Sequence, residues 1–232
     1  MKFILLIVIF LSSFIGIAQN PYSSPTYGLK GGFHLSSLHG DDAMDTHGKL
    51  ISPQLGITGA LFFTPRFSVN AEANYEKKGG KFNSYEIQTN LNYVAMPVFI
   101  KYAFFKDPQI YIYGGGYASY LVSANTKGEF ERFEFVKEID EDIKPNVSAF
   151  DFGAIIGFGV QGRFNRSADI FLDLRYCQGF YDIDKHNTES RYNINDPDPE
   201  IINSFYEVDK PKSVYNRSFM LTTGMYFYLI KR

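Results

Sequence analysis

The fold is decided by the stretch Phe67-Ser68-Val69-Asn70-Ala71-Glu72-Ala73-Asn74-Tyr75-Glu76. Apolar and polar residues alternate along it at period two, which is typical of a β-strand whose two faces lie in different environments. The same alternation recurs along the chain and predicts eight strands: residues 27–38, 52–63, 67–78, 89–104, 109–123, 148–163, 168–179 and 217–230. Most of these segments have about ten residues or more, which is the length of a tilted strand that crosses a bilayer.

The connections between these strands alternate in length. Those at 64–66, 105–108 and 164–167 are tight, whereas those at 39–51, 79–88, 124–147 and 180–216 are long and polar. Transmembrane barrels combine short periplasmic turns with longer extracellular loops. We therefore predict an all-β fold, an eight-stranded antiparallel up-and-down transmembrane β-barrel.

The alternation also predicts which face of each strand points outward. In a membrane barrel the apolar row faces lipid and the polar row faces the lumen. A soluble barrel of the lipocalin type is the alternative, in which the apolar row faces inward around an apolar ligand. Glycines and small residues in the polar row suit a narrow lumen, and Phe and Tyr near the strand ends suit an interfacial aromatic girdle. Both features favour the membrane barrel.

The N-terminus predicts export. Met1-Lys2 supplies a short positive region, residues 3–17 are mainly apolar, and Gly16-Ile17-Ala18 offers small residues for cleavage. We interpret residues 1–18 as a cleaved signal peptide and residues 19–232 as one outer-membrane β-barrel domain. The apolar run is shorter than the roughly 20 residues of a spanning helix.

The composition excludes some classes of function. The 25 acidic and 23 basic side chains give a net charge of -2, so no basic surface for nucleic acid is expected. The single cysteine, Cys177, excludes an internal disulfide framework and a multi-thiolate metal site. We expect no cofactor.

Four stretches resemble the PorT family of outer-membrane β-barrel proteins. They are Tyr27-Gly28-Leu29-Lys30-Gly31-Gly32, Glu72-Ala73-Asn74-Tyr75-Glu76-Lys77-Lys78-Gly79, Leu91-Asn92-Tyr93-Val94-Ala95-Met96-Pro97 and Gly114-Gly115-Gly116-Tyr117. The resemblance runs across essentially the whole mature chain and implies a barrel in the outer membrane of a Gram-negative cell. The namesake branch of the family is associated with protein secretion and gliding, and no residue here places the chain in that branch.

The closing segment, residues 222–229, looks like the C-terminal strand signal that the barrel-insertion machinery recognises. The positions that match its pattern are Thr222, Gly224, Phe227 and Leu229. The usual terminal aromatic residue is Leu229 here, and three further residues follow it.

Charges of both signs are predicted in the lumen. The polar rows contain Lys30, Glu72, Glu76, Asp151, Arg163, Asp173 and Arg175. Buried charges must be paired, and an eight-stranded barrel is just wide enough for its own side chains. We expect a polar network that plugs the lumen, with Arg175 paired to a carboxylate. A continuous pore is the alternative.

No catalytic or metal site is predicted. The candidates are His34, His39, His47 and His186, with Ser36, Ser37, Asp41 and Asp45 near the first three in the sequence, and no nucleophile motif accompanies them. The acidic residues of the loops lack the spacing of a calcium loop. We expect a structural or interaction role, with loops 124–147 and 180–216 contacting an extracellular or envelope protein and the wall contacting outer-membrane lipid. A small-solute channel and a lipid-modifying enzyme are the alternatives.

Overall fold

A computed structural model describes residues 25–40, 48–82, 87–105, 108–132, 135–184 and 213–228. The predicted signal peptide lies outside these ranges. The strands of the described ranges are β1 (Thr26–Gly40), β2 (Gly48–Phe62), β3 (Phe67–Phe82), β4 (Ile87–Ala103), β5 (Gln109–Arg132), β6 (Phe135–Asp142), β7 (Phe150–Asn165), β8 (Ala168–Gly179) and β9 (Val214–Tyr228). A single turn of 3-10 helix, Lys144–Asn146, follows β6. In these ranges no helix is long and apolar enough to cross a membrane.

Eight of the strands close into an antiparallel barrel. The sheet runs in the order β4-β3-β2-β1-β9-β8-β7-β5, and pairing between β4 and β5 completes the ring. Each strand of the ring is therefore hydrogen-bonded on both sides, which removes the exposed edges of an open sheet. β6 lies outside the ring at the end of this order, beside β5.

The predicted eight strands are confirmed, and β8 has the predicted bounds. The tight connections join β2 to β3, β4 to β5 and β7 to β8, and we call this the turn end of the barrel. The opposite end is the loop end. The prediction of a loop over residues 124–147 is wrong, because β5 continues to Arg132 and returns as β6. Most of this hairpin has no second neighbour among the described strands and no apolar row, so the period-two signal of a membrane strand is missing there.

The two faces of the barrel wall are as predicted. On β3 the side chains of Glu72 and Glu76 are buried, whereas Phe67 and Tyr75 are exposed. The alternative of a soluble, lipocalin-type barrel is wrong, because the apolar row faces outward.

Aromatic side chains form two belts on the outer wall. Near the turn end the exposed aromatic residues are Tyr27, Phe63, Phe67, Phe104, Phe105 and Phe164; near the loop end they are Tyr75, Tyr120, Phe150, Phe152, Phe180 and Tyr181. Phe152 and Phe164 on β7 are twelve residues apart. At about 3.3 Å per residue and a tilt of about 40°, the belts are separated by roughly 30 Å, the thickness of a bilayer's hydrocarbon core.

Candidate functional site: the polar lumen

An ion pair crosses the middle of the lumen. Arg175 on β8 binds Glu72 on β3 at two points, with Nη1 to Oε2 at 2.8 Å and Nη2 to Oε1 at 3.0 Å. These strands are four places apart in either direction around the eight-stranded ring, so they form opposite walls. Both side chains are almost fully buried, with 1% and 2% exposure. The pair therefore joins the walls across the barrel axis.

Three further groups complete this middle layer. Lys30 Nζ lies 2.7 Å from Glu72 Oε2, so two cations share one carboxylate. Arg175 Nε donates to the Tyr113 hydroxyl at 2.9 Å, and that hydroxyl donates to Asp173 Oδ1 at 3.0 Å. The prediction that Arg175 pairs with a lumen carboxylate is confirmed.

A second charged layer lies toward the loop end. Lys78 on β3 binds Asp151 on β7 at 3.0 Å and lies 3.8 Å from Glu76. Asn216 donates to the same Asp151 carboxylate at 2.9 Å. The Lys78 ammonium also lies over the Tyr117 ring, 4.4 Å from its centroid. Asp151 is therefore bound by groups from three other strands, namely Lys78 of β3, the Tyr117 hydroxyl of β5 and Asn216 of β9.

A third layer lies toward the turn end. The Lys101 ammonium lies between two aromatic rings, 4.5 Å from the Tyr111 centroid and 4.9 Å from the Tyr226 centroid. It donates to Gln161 Oε1 at 3.0 Å, and Gln161 Nε2 donates to Asp169 Oδ2 at 2.9 Å. Cation–π contacts and an amide relay hold this lysine, with no carboxylate in direct contact among the described residues.

The buried charges of the lumen cancel. Within the described ranges the buried cations are Lys30, Lys78, Lys101 and Arg175, and the buried carboxylates are Glu72, Glu76, Asp151 and Asp173. Four charges of each sign balance in a space where an uncompensated charge would be costly.

Tyrosines of β5 fill the lumen against glycines of β7. Register places Tyr111 opposite Gly159, Tyr113 opposite Gly157, and Tyr117 opposite Gly153. A Cβ added to Gly157 would lie 2.4 Å from the Tyr113 ring, and one added to Gly153 would lie 2.6 Å from the Tyr117 ring. The glycines therefore leave the room that the tyrosine rings occupy.

The loop end of the lumen is lined by an apolar cluster. Its buried members are Leu91, Tyr93, Leu121, Ala124, Val147 and Ile183. Backbone hydrogen bonds tie the connecting segments together, from Ser148 N to Ile183 O at 2.8 Å and from Ile183 N to Val214 O at 3.0 Å. Between this region and the middle layer lies a cavity of about 10 Å³, lined in part by Glu76, Lys78 and Arg175.

Six of the seven predicted lumen charges are inside, and Arg163 is not. Its side chain is exposed at the turn end of β7, because the register shifts between Arg163 and Asn165 and ends the alternation. Two lumen cations, Lys78 and Lys101, were not predicted. Lys78 continues the polar row of Glu72 and Glu76, so extending that row would have found it. Lys101 follows apolar lumen residues on β4, so no alternation of polar and apolar residues predicts that its side chain faces the lumen.

The other candidate residues are dispersed. His34 is fully buried, and the Ser36 hydroxyl donates to the Gly79 carbonyl at 3.1 Å. His47, His186, Asp41 and Asp45 lie outside the described ranges. Among the residues that the structure describes, no group of three or more His, Cys, Asp or Glu side chains is arranged to hold a metal ion.

A family model for the outer membrane protein beta-barrel domain matches residues 17–185, well over half of the chain. The chain belongs to this family of outer-membrane β-barrels. No curated protein matches the sequence.

Solved structures of small barrels are similar to this outer-membrane β-barrel. Ail of Yersinia pestis, solved with the heparin analogue sucrose octasulfate, is 12% identical, with 88% of this chain and 99% of that chain covered and a TM-score of 0.41. Neisserial surface protein A is 10% identical, with 87% and 96% covered and a TM-score of 0.47. OprG of Pseudomonas aeruginosa is 14% identical, with 89% and 97% covered and a TM-score of 0.44. At these identities the likeness concerns the fold alone.

Three of the four residues of the predicted insertion signal lie on the last strand of the outer-membrane β-barrel. Thr222 is buried in the lumen and accepts a hydrogen bond from Gln54 at 2.7 Å. Gly224 lies opposite Lys30 and Phe171 in register. Phe227 packs beside Tyr27, with ring centroids 6.1 Å apart. Leu229 lies outside the described residues.

Proposed function

We propose that this protein is a non-conducting outer-membrane barrel, plugged by its own polar side chains, with a structural or interaction role carried by its loop end. The observation that carries the proposal is the two-point ion pair between Arg175 and Glu72, which joins opposite walls at the barrel axis. A solute or ion that crossed the lumen would have to break this pair or squeeze past it.

The layers on either side of this pair add support. Lys78 with Asp151, and Lys101 with Gln161, also link different strands across the interior. The cavity lined in part by Glu76, Lys78 and Arg175, of about 10 Å³, has room for about one water molecule. A small-solute channel needs a continuous aqueous path past all three layers.

The interaction role is assigned to the elements at the loop end. The hairpin of β5 and β6 extends beyond the β4 pairing, which ends at Lys127. In outer-membrane barrels this end faces the cell exterior. The proposed partners are an extracellular or envelope protein at residues 124–147 and 180–216, and outer-membrane lipid at the wall. The barrel-insertion machinery is the proposed reader of Thr222, Gly224, Phe227 and Leu229.

Two finer assignments accompany this proposal. The role is non-enzymatic in this proposal: of the described candidates, His34 and Ser36 are buried in the lumen and away from lipid, and no nucleophile motif accompanies Ser37 and His39. Membership in the PorT branch rests on the four stretches that resemble it.

A liposome-swelling assay tests the proposal. Purified protein is refolded into vesicles loaded with an osmolyte, and the vesicles are diluted into isotonic solutions of glycine or glucose. We expect the same swelling rate as in vesicles without protein. Swelling that rises with the amount of protein and falls with solute size would contradict the plugged barrel and support the channel.

A further inference from the structure

β6 has one free backbone edge among the described strands. It pairs with β5 from Asn125↔Asp142 to Arg132↔Phe135 and stands at the end of the strand order. A strand that is paired on one side presents a row of N–H and C=O groups on the other side. The eight residues of β6 span about 26 Å, which is enough for a short segment of another chain to pair with it.

The position of this edge makes it reachable from outside the barrel. β5 pairs with β7 only as far as Tyr120 and with β4 as far as Lys127. From Gly128 to Arg132 its only neighbour among the described strands is β6. The hairpin therefore extends past the rim by about five residues, or roughly 17 Å.

Half of the eight residues of β6 are acidic. Glu138, Asp140, Glu141 and Asp142 carry four negative charges and Lys137 carries one positive charge, which gives the strand a net charge of -3. Glu138, Asp140 and Asp142 occupy alternate positions and so belong to one face of the strand. Register sets Glu129 of β5 opposite Glu138.

Among the side chains that the structure describes here, these charges are compensated by one ion pair and by a hydrogen bond from Lys144 N to Asp142 Oδ1 at 2.9 Å. Lys127 pairs with Asp140 at 2.9 Å, but the two side chains are 56% and 65% exposed. Exposed pairs of this kind contribute little. A neighbouring strand with cations at alternate positions would be complementary in charge to the acidic residues of β6.

We propose that the free edge of β6 binds an extended basic segment of a protein partner by strand addition. Main-chain hydrogen bonds supply the pairing, and lysines or arginines at every second position recognise the acidic face. A second copy of this chain is disfavoured at the edge, because two strands of net charge -3 would meet. This inference rests on the proposed interaction role and specifies the chemistry of the partner.

The test uses the full-length protein in a zwitterionic detergent at low salt and the synthetic peptide Thr-Lys-Val-Lys-Val-Lys-Thr, labelled for fluorescence anisotropy. We expect saturable binding. The same peptide with alternate amides N-methylated keeps its charge but loses strand hydrogen bonds, and we expect at least about tenfold weaker binding. A peptide with glutamate in place of lysine should not bind.

Charge-neutral variants locate the site. Glu138→Gln, Asp140→Asn and Asp142→Asn together should weaken binding of the basic peptide at least about tenfold. A matched control, Asp41→Asn with Asp42→Asn and Asp45→Asn, removes the same charge from outside β6 and should leave the affinity unchanged. Equal losses in the two variants would mean general electrostatic attraction and would overturn the proposal.

The remaining outcomes also test the proposal. Equal binding of the N-methylated peptide would exclude strand addition. Absence of peptide binding would overturn the proposal, including the case in which residues 185–212 of the chain itself occupy the edge. Dimers that form with rising protein concentration and that the peptide dissociates would also overturn it. The swelling assay is independent of the edge, so vesicles that stay sealed while the peptide fails to bind would reject this inference and leave the plugged barrel intact.

Discussion

Arg175 and Glu72 meet at the centre of the barrel from opposite walls, and Lys30 shares the same carboxylate. Among the residues that the structure describes, replacing Arg175 with alanine leaves four buried carboxylates against three buried cations. Breaking a buried pair in this way costs about 3–5 kcal/mol. We expect Arg175→Ala to lower the urea midpoint of unfolding in detergent by a corresponding amount.

The exposed pair between Lys127 and Asp140 is the matched control for Arg175. Its side chains are more than half exposed, and such pairs contribute about 0–1 kcal/mol. Lys127→Ala should therefore leave the midpoint nearly unchanged. If Arg175→Ala were equally harmless, water would have to solvate the remaining lumen charges, and the lumen would not be closed to water.

Depth in the bilayer gives a second prediction. Ile156 and Phe164 lie on the outer face of β7 and are both 62% exposed, but Ile156 is at mid-strand and Phe164 is near the turn end. An arginine at the bilayer midplane costs about 2–4 kcal/mol, and near the interface about 0–1 kcal/mol. In lipid vesicles Ile156→Arg should destabilise the barrel far more than Phe164→Arg. Equal costs would be inconsistent with a membrane-spanning wall.

The contact between Tyr113 and Gly157 gives a third prediction. A Cβ at Gly157 would lie 2.4 Å from the Tyr113 ring, whereas one at Gly162 would have nothing within 4 Å. Overpacking of this kind costs about 1–3 kcal/mol. Gly157→Ala should lower the unfolding midpoint and Gly162→Ala should not. The idea of a tightly filled lumen fails if the two variants are equally stable.

Orientation in the membrane gives a fourth prediction. Lys127 lies in the loop-end hairpin and Arg166 in the turn between β7 and β8, and both are exposed; the native Cys177 is buried. A membrane-impermeant maleimide applied to intact cells should label Lys127→Cys and should not label Arg166→Cys. Labelling of both after lysis is the control, and labelling of Arg166→Cys alone in intact cells would invert the topology.

The sequence predicts most of the strands of the barrel wall but fewer of the contacts inside the lumen. Period-two alternation identifies strands such as β3 and β8 because lipid and lumen impose opposite polarity on the two faces. The hairpin β5–β6 was missed because it pairs largely outside the ring and needs no apolar row. Side chains at the lumen face of β4 are mainly apolar, so Lys101 had no polar neighbours in its row to reveal it.

The pairing of lumen charges depends on which strands face each other across the ring. Glu72 and Arg175 are 103 residues apart in the chain. The order of eight strands in the ring places β3 opposite β8, so the sequence could predict that charges of these two strands pair across the lumen. The choice of Glu72 over Glu76 or Asp151 depends on register and tilt, which alternation does not encode. Arg163 continues the alternation of the polar row of β7, but it lies where the regular register between β7 and β8 ends.

Single-molecule conductance in a planar bilayer tests the central claim most directly. We expect the wild-type barrel, inserted at low protein density in about 1 M salt, where surface charges are screened, to give no steady current steps. Steady wild-type steps, with an ion selectivity that shifts in Arg175→Ala while the urea midpoint stays unchanged, would contradict the account of a lumen closed by its own charged network.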